Sequence, residues 1–484
     1  MNGVAQKQKP GSIQKKVKDM TEGNIVRLLI SFAIPLLLGN LFQQLYNTVD
    51  TFVVGNFVSN EAYAAVGNTS SIINTLIGFF SGLATGAGVV ISQYNGAKDE
   101  KNVRRAVHTT LIMTIGLIVL FTVLGIVMAP AMVKLMKTPD EVVDDAVKYL
   151  TIYFAGVAGL MIYNIGAGIL RAVGDSRRPF YFLVVSALTN VALDLVFVLG
   201  FHMGVEGVAY ATIISQVVSA TLVMITLFRS KECYGVALKY FKCDLKILLK
   251  IFKVGLPAAL QLAVTSFSNV FVQSYINNFG TDFMSGYTSY SKIDQFVLLP
   301  MQSVSLAATT FVGQNLGAGN KQRAKKGANI SLLMSMTITA VLIVPVMIFA
   351  PSLVRFFNKS DAVVAYGSFL LRFISPFYVL CCVNQIYAGA VRGAGKSTAP
   401  MIIMLSSFVA FRQAYLAVVS ALSSSYVLVV FAYPAGWILC STLMVIYYFF
   451  SKWENAELIR RPTVTKPEIE ADDGNIDKKH NPDL

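Results

Sequence analysis

Apolar runs long enough to cross a bilayer dominate this chain, and no other feature limits its folding so strongly. A hydrocarbon core about 30 Å thick takes about 20 apolar residues per helical crossing. Twelve stretches reach that length: residues 25–55, 66–94, 106–136, 147–170, 179–201, 206–228, 249–279, 284–313, 328–354, 363–391, 399–421 and 426–450. Within lipid every backbone N–H and C=O must be satisfied inside the segment, so each run is predicted to be a helix. A membrane barrel is excluded, because its strands would read as alternating segments of about ten residues. Composition agrees: only 14% of the 484 residues are charged, and the mean hydropathy is +0.60. The expected class is an all-α integral membrane protein in a multi-pass arrangement.

The formal charge of +14 would suit a nucleic-acid partner if it were gathered on one soluble face. It is not. With the connections numbered so that the N-terminus and every second loop share a side, 32 of the 40 Lys and Arg fall on that side. The other side holds five, Lys134, Lys137, Lys148, Arg355 and Lys359, and Lys292, Arg372 and Arg412 lie within helical runs. This is the positive-inside asymmetry, which predicts cytoplasmic N- and C-termini in a cell membrane and explains the basic excess without nucleic acid.

Cys233, Cys243, Cys381, Cys382 and Cys440 show no metal-ligand spacing, and His108, His202 and His480 are scattered. With no nucleophile, acid/base pair or metal cluster standing out, an enzyme is not expected. The apolar run after the Lys-rich N-terminal segment is too long for a signal-peptide core and is expected to stay on the protein. Five regions follow: a cytoplasmic segment 1–24, a first lobe 25–228, a linker 229–248, a second lobe 249–450 and a polar tail 451–484 that reads as disordered.

The lobes are copies. Shifting the chain by 221 or 222 residues pairs Pro35 with Pro257, Asn47 with Asn269, Gln93 with Gln314, Gly96 with Gly317 and Arg171 with Arg392. Gly174, Ser176 and Pro179 likewise match Gly395, Ser397 and Pro400. Each copy has an even number of crossings, so the two keep the same orientation and are related by an axis along the membrane normal. Two six-helix lobes with a cavity between them are transporter architecture.

The stretch AIPLLLGNLFQQLYNTVDTFVVGNF, the loop YNGAKDEKNVRRA, the segment SYSKIDQFVLLPMQSVSLAATTFVGQNLGAGNKQRAKKG and the pair LRAVGDSRRP/VRGAGKSTAP resemble the multidrug and toxic compound extrusion (MATE) family over about residues 20–450. The resemblance implies a V-shaped, twelve-helix antiporter that exports organic, often cationic, compounds against inward Na⁺ or H⁺. Lipid-linked oligosaccharide flipping, an activity of the wider superfamily, is the alternative; it favours more cavity cations than Arg412 and Lys292.

Asp50 lies inside the first apolar run, where an ionised carboxylate costs about 3 kcal/mol at the bilayer centre. A polar cavity, a bound cation or a proton must compensate. Asn190 and Asp194 in TNVALDLVF are four residues apart and share a helix face, and Thr212 adds a hydroxyl from the sixth crossing. These are hard oxygen donors, suited to Na⁺ or a shared proton. The DinF-like branch of the family carries its cation site on the matching Asp and Asn-x-x-x-Asp, with Thr212 matching a helix 6 hydroxyl. Structural hydrogen bonding between helices is the competing role for Asn190 and Asp194. In the second lobe Asp50 maps to Val272, Asn190 to Phe411 and Asp194 to Tyr415, so coupling is expected through the first lobe only. Arg412 lines the cavity, pairs with an acid, or packs. Asp294 joins a network with Gln261, Asn269 or Gln295, and Asn47 lies one turn from Asp50. Pro35, which removes a helical hydrogen bond, is the expected point of bending in helix 1. The expected partners are a small organic substrate and the bilayer, with no cofactor beyond the coupling ion and a monomeric chain.

Overall fold

A computed structural model describes residues 19–58, 60–136 and 138–459. Helices account for its regular structure, with no strand among the described residues. The crossings of the first half are α1 (Ile25–Phe57), α2 (Asn60–Gly96), α3 (Glu100–Leu135), α4 (Asp140–Ala155 bent into Val157–Ala172), α5 (Arg177–Gly200) and α6 (Val205–Arg229). Those of the second half are α7 (Leu245–Asn277), α8 (Thr281–Gly317), α9 (Lys321–Ile348), α10 (Asp361–Gly393), α11 (Thr398–Leu422) and α12 (Tyr426–Phe450). Among the described residues, eleven spans are long and apolar enough to cross a membrane, and the bent pair makes the twelfth.

Sequence chemistry sets the ends. Asp99 accepts from the Asn102 N–H at the start of α3, Asp244 from the Lys246 and Ile247 N–H groups at α7, and Asn320 from the Arg323 N–H at α9; each satisfies donors left open in the first turn. The turns after α4 and α10 need a left-handed residue, and the repeat supplies Gly174 (φ 101°) and Gly395 (φ 87°). The kinks are placed alike but built differently. α4 bends by 48° at Gly156, while α10 passes through a 3₁₀ turn at Ser375–Phe377 that contains Pro376.

The lobes meet closely at the end of the bundle where α1 begins and α12 ends, called here the terminal face. α2 packs more extensively against α7 than any other two helices pack, through a stripe of small residues. A Cβ added at Gly82 would lie 2.3 Å from the Ala259 backbone, and one at Gly86 would lie 2.3 Å from Gly255. Toward the opposite face the cores separate. One buried cluster gathers Val53, Val133, Leu150 and Val208 of the first lobe, and another gathers Val272, Ile293, Leu371 and Leu416 of the second. The V is therefore closed at its terminal face.

The described segments before α1 and after α12 cross that closure. The Met20 N–H donates to Gln314 Oε1 (3.1 Å) and Asn315 Nδ2 donates to the Met20 carbonyl (3.1 Å), so the segment before α1 lies across α8. The stretch 451–459 differs from the disordered tail expected of it. Trp453 is buried in the second lobe's core, Glu454 pairs with Lys325 at 2.6 Å, and Ile459 is buried in a first-lobe cluster with Val173 and Tyr234. Trp453, Leu458 and Ile459 provide apolar anchors that the tail's average polarity hides. Residues 460–484 lie outside the described residues.

Candidate functional site

The first-lobe residues are placed by α5 and α6. On α5, Asn190 and Asp194 sit on one face, 1% and 0% exposed, and α5 packs against α1 and α6. Ser186, one turn earlier on that face, donates to the Ser215 carbonyl of α6 at 2.6 Å and fixes the two helices in register. Thr212 of α6 is buried as well. Both atoms of the Asn190 amide lack a hydrogen-bond partner among the described residues. Buried polar groups in native proteins are nearly always satisfied, and leaving one open costs about 1–3 kcal/mol. The α-helix gives way to a π-turn at Val196–Gly200, starting two residues after Asp194, a distortion frequent at functional sites. Asp50 and Asn47 lie on α1, and their side chains fall outside the described residues. Pro35 stands inside an unbroken α1 and borders a groove of about 880 Å³ with Arg27, Arg177 and Phe180.

The second lobe is built differently at the matching positions. Val272 is fully buried, and the Tyr415 hydroxyl donates to the Leu428 carbonyl at 3.1 Å. Arg412, 4% exposed, follows a π-turn at Ser406–Phe411. Its Nη2 donates to Ser268 Oγ (3.1 Å) and Asn269 Oδ1 (2.8 Å), and its guanidinium lies 5.3 Å from the Tyr433 ring centre. Hydroxyl, amide and ring stand where an acid partner was one expectation, and no ion pair to Arg412 exists among the described residues. Tyr433 in turn shares a 2.6 Å hydrogen bond with Tyr287.

Asp294 is hydrogen bonded by the Tyr378 hydroxyl, not by Gln261, Asn269 or Gln295. Tyr290 lies 3.3 Å from that same hydroxyl. Gln261 instead donates to Met404 Sδ at 2.8 Å with its Oε1 left open. Gln295 accepts from Gln44 of α1 at 2.6 Å, and Lys292 is exposed. Sequence reasoning missed the tyrosines that join these groups, because Tyr378 and Tyr433 are distant in the chain and give no local signal.

A second feature missed at the sequence level is the way the repeat closes the terminal face. Gln93 Nε2 donates to the Gly393 carbonyl (2.9 Å), and Gln314 Nε2 donates to the Ala172 carbonyl (2.8 Å). Donors and acceptors are both repeat mates. Their glycine neighbours obey the same symmetry, since a Cβ on Gly96 would meet the Gln314 carbonyl oxygen at 1.9 Å and one on Gly317 would meet that of Gln93 at 2.0 Å. The signal was present in the matched Gln-x-x-Gly pairs, but the partner carbonyls were not.

The MatE family model matches residues 35–196 and 257–416, one match in each half. The probable multidrug resistance protein YpnP of Bacillus subtilis (strain 168) is 28% identical, over 92% of this chain and 99% of its own length. The probable multidrug resistance protein NorM of Thermotoga maritima is 25% identical, over 90% of this chain and 95% of its own. A solved structure described as the outward-facing conformation of a multidrug resistance MATE family transporter superposes with a TM-score of 0.85 at 23% identity, covering 91% of this chain and 98% of that one. That last likeness is one of fold.

Proposed function

The chain belongs to the MatE family, and from that premise we propose that it is a secondary active antiporter exporting organic, largely cationic, compounds in exchange for inward H⁺ or Na⁺. The curated relatives, named as probable multidrug resistance proteins, support the substrate class. The distribution of Lys and Arg supports a cytoplasmic terminal face. Coupling is assigned to Asp50, Asn190, Asp194 and Thr212. The observation that carries this assignment is the open Asn190 amide, buried one helical turn from the buried Asp194.

The chemistry follows from the cost of charge in lipid. A carboxylate sealed away from water favours the state in which a cation or proton neutralises it. Asp194 supplies the negative oxygens, and Asn190 supplies a neutral oxygen to Na⁺ or an N–H to a bound water. Access to the outside loads the site, and access to the cytoplasm unloads it. Substrate, which competes for the same lobe arrangement, leaves as the ion enters. Bending of α1 at Pro35 is the motion we assign to this exchange.

In a host stripped of its own pumps, the parent chain is expected to raise tolerance to cationic dyes and drugs, and Asp50→Asn and Asp194→Asn are each expected to abolish the gain. Variants that protect as well as the parent, at equal expression, would remove the coupling assignment while leaving export in place.

A further inference from the structure

We propose that the connection between the lobes and the entrance of α3 form a binding site for the phosphate headgroup of an anionic lipid. A groove of about 810 Å³ opens there on the terminal face, lined by Lys101, Arg104, Arg105, Lys239 and Lys242 against Glu100 and Asp244. Arg105 faces Asp244 at 3.7 Å. The other four cations have no ion-pair partner among the described residues. Two of them converge on one ring: the Arg104 guanidinium lies 4.7 Å and the Lys239 ammonium 5.0 Å from the centre of Tyr240. Like charges held near a shared ring repel each other, and an anion bound in the groove beside them offsets that repulsion. An arginine with its fork of donors beside two flexible lysines is suited to a phosphate.

The groove is held in shape rather than left as a loose basic loop. His108, wholly buried, donates through Nδ1 to the Arg104 carbonyl (2.7 Å) and accepts at Nε2 from the Ala237 N–H (3.2 Å). Thr109 Oγ1 accepts from the Asp244 N–H at 3.0 Å. These bonds fasten the connection to α3 on both sides of Tyr240, so Arg104 and Lys239 are pre-positioned. The lipid source, as opposed to a soluble phosphate, is favoured by what flanks the cations. Leu238, Leu245 and Leu249 are 77%, 65% and 61% exposed, at the level where the spans end. Apolar side chains beside a basic groove match the junction of headgroup and acyl chain. The headgroup would bridge α3 of the first lobe and the connection to the second, where occupancy bears on how the lobes move.

The test uses the full-length protein in nanodiscs of phosphatidylcholine mixed with phosphatidylglycerol, with the retained lipids counted by native mass spectrometry. The parent is expected to keep phosphatidylglycerol over phosphatidylcholine, and Arg104→Gln/Lys239→Gln to reduce that retention by about tenfold. Arg229→Gln/Lys231→Gln, the same charge change outside the groove, should retain it. Lys101→Gln/Lys242→Gln, both at exposed positions, provides the same reading if the first variant is lost in purification. Equal retention of the two lipids by the parent, or unchanged retention in both groove variants, overturns the proposal. Displacement of the lipid by millimolar glycerol phosphate assigns the groove to a soluble anion and overturns the lipid source.

Discussion

At the scale of single residues, Asn190 of the first lobe and Arg412 of the second are buried polar groups of different character, and stability measurements should separate them. Among the described residues Asn190 has no hydrogen-bond partner, both ends of its amide being open and buried. Asn190→Leu, close in volume, is expected to leave thermal stability unchanged or to raise it, and to abolish any upward shift of Tm by Na⁺ or by the pH change that loads the site. Arg412 is better satisfied: its Nε is open, but its Nη2 donates to Ser268 and Asn269 and its guanidinium lies 5.3 Å from the Tyr433 ring centre. Arg412→Ala is expected to cost about 1–3 kcal/mol, read as a lowered Tm in the same assay. A stabilising Arg412→Ala together with a destabilising Asn190→Leu would reverse the assignment. The sequence made the first-lobe pair legible because a spacing of four fixes a shared helix face wherever the helix packs. It could not show that Asp294 meets Tyr378, because that contact depends on how α8 lies against α10.

At the scale of elements, the terminal face is sealed by close backbone approach and by straps, and each has its own test. A Cβ at Gly96 would stand 1.9 Å from the Gln314 carbonyl oxygen, closer than packing allows, so the lobes must separate there. In a cysteine-free background, Ser92→Cys, 1% exposed, is expected to resist a water-soluble thiol reagent and to become reactive when Gly96→Ala is added. Continued protection would show that the closure yields elsewhere. The strap at Glu454 answers to pH. Burial pushes its carboxyl up, but the hydrogen bond from Lys325, its own backbone N–H and the nearby Lys321 pull it further down, leaving it below the usual glutamate range. A carboxyl with a depressed folded pKa contributes its full stability above the unfolded value, about 4.3, and loses it as pH falls through the lower folded value. Trp453 emission, read with Trp437→Phe, should therefore stay blue at neutral pH and shift red only in acid below about pH 4; a red shift near neutrality would contradict the docked strap. The helical spans were legible because lipid demands them. The strap was not, because three apolar side chains in a polar tail carry no periodicity.

At the scale of the whole molecule, the repeat is the source of the architecture, and the proposed coupling site lies where its two copies differ. Where the copies agree, as at Gln93 with Gln314 and Gly174 with Gly395, the structure is symmetric. Where they diverge, the first lobe has Asn190 and Asp194 and the second has Phe411 and Tyr415. The π-turns diverge too, following Asp194 in one lobe and preceding Arg412 in the other. An exchange driven from one lobe and transmitted across a symmetric closure predicts that carboxylates are unequal by location. The direct measurement is accumulation of a cationic dye by proteoliposomes under an imposed Na⁺ or pH gradient. The parent and Asp294→Asn are expected to concentrate the dye against its gradient, while Asp194→Asn only lets it equilibrate. Gradient-driven accumulation by Asp194→Asn equal to the parent would contradict the account.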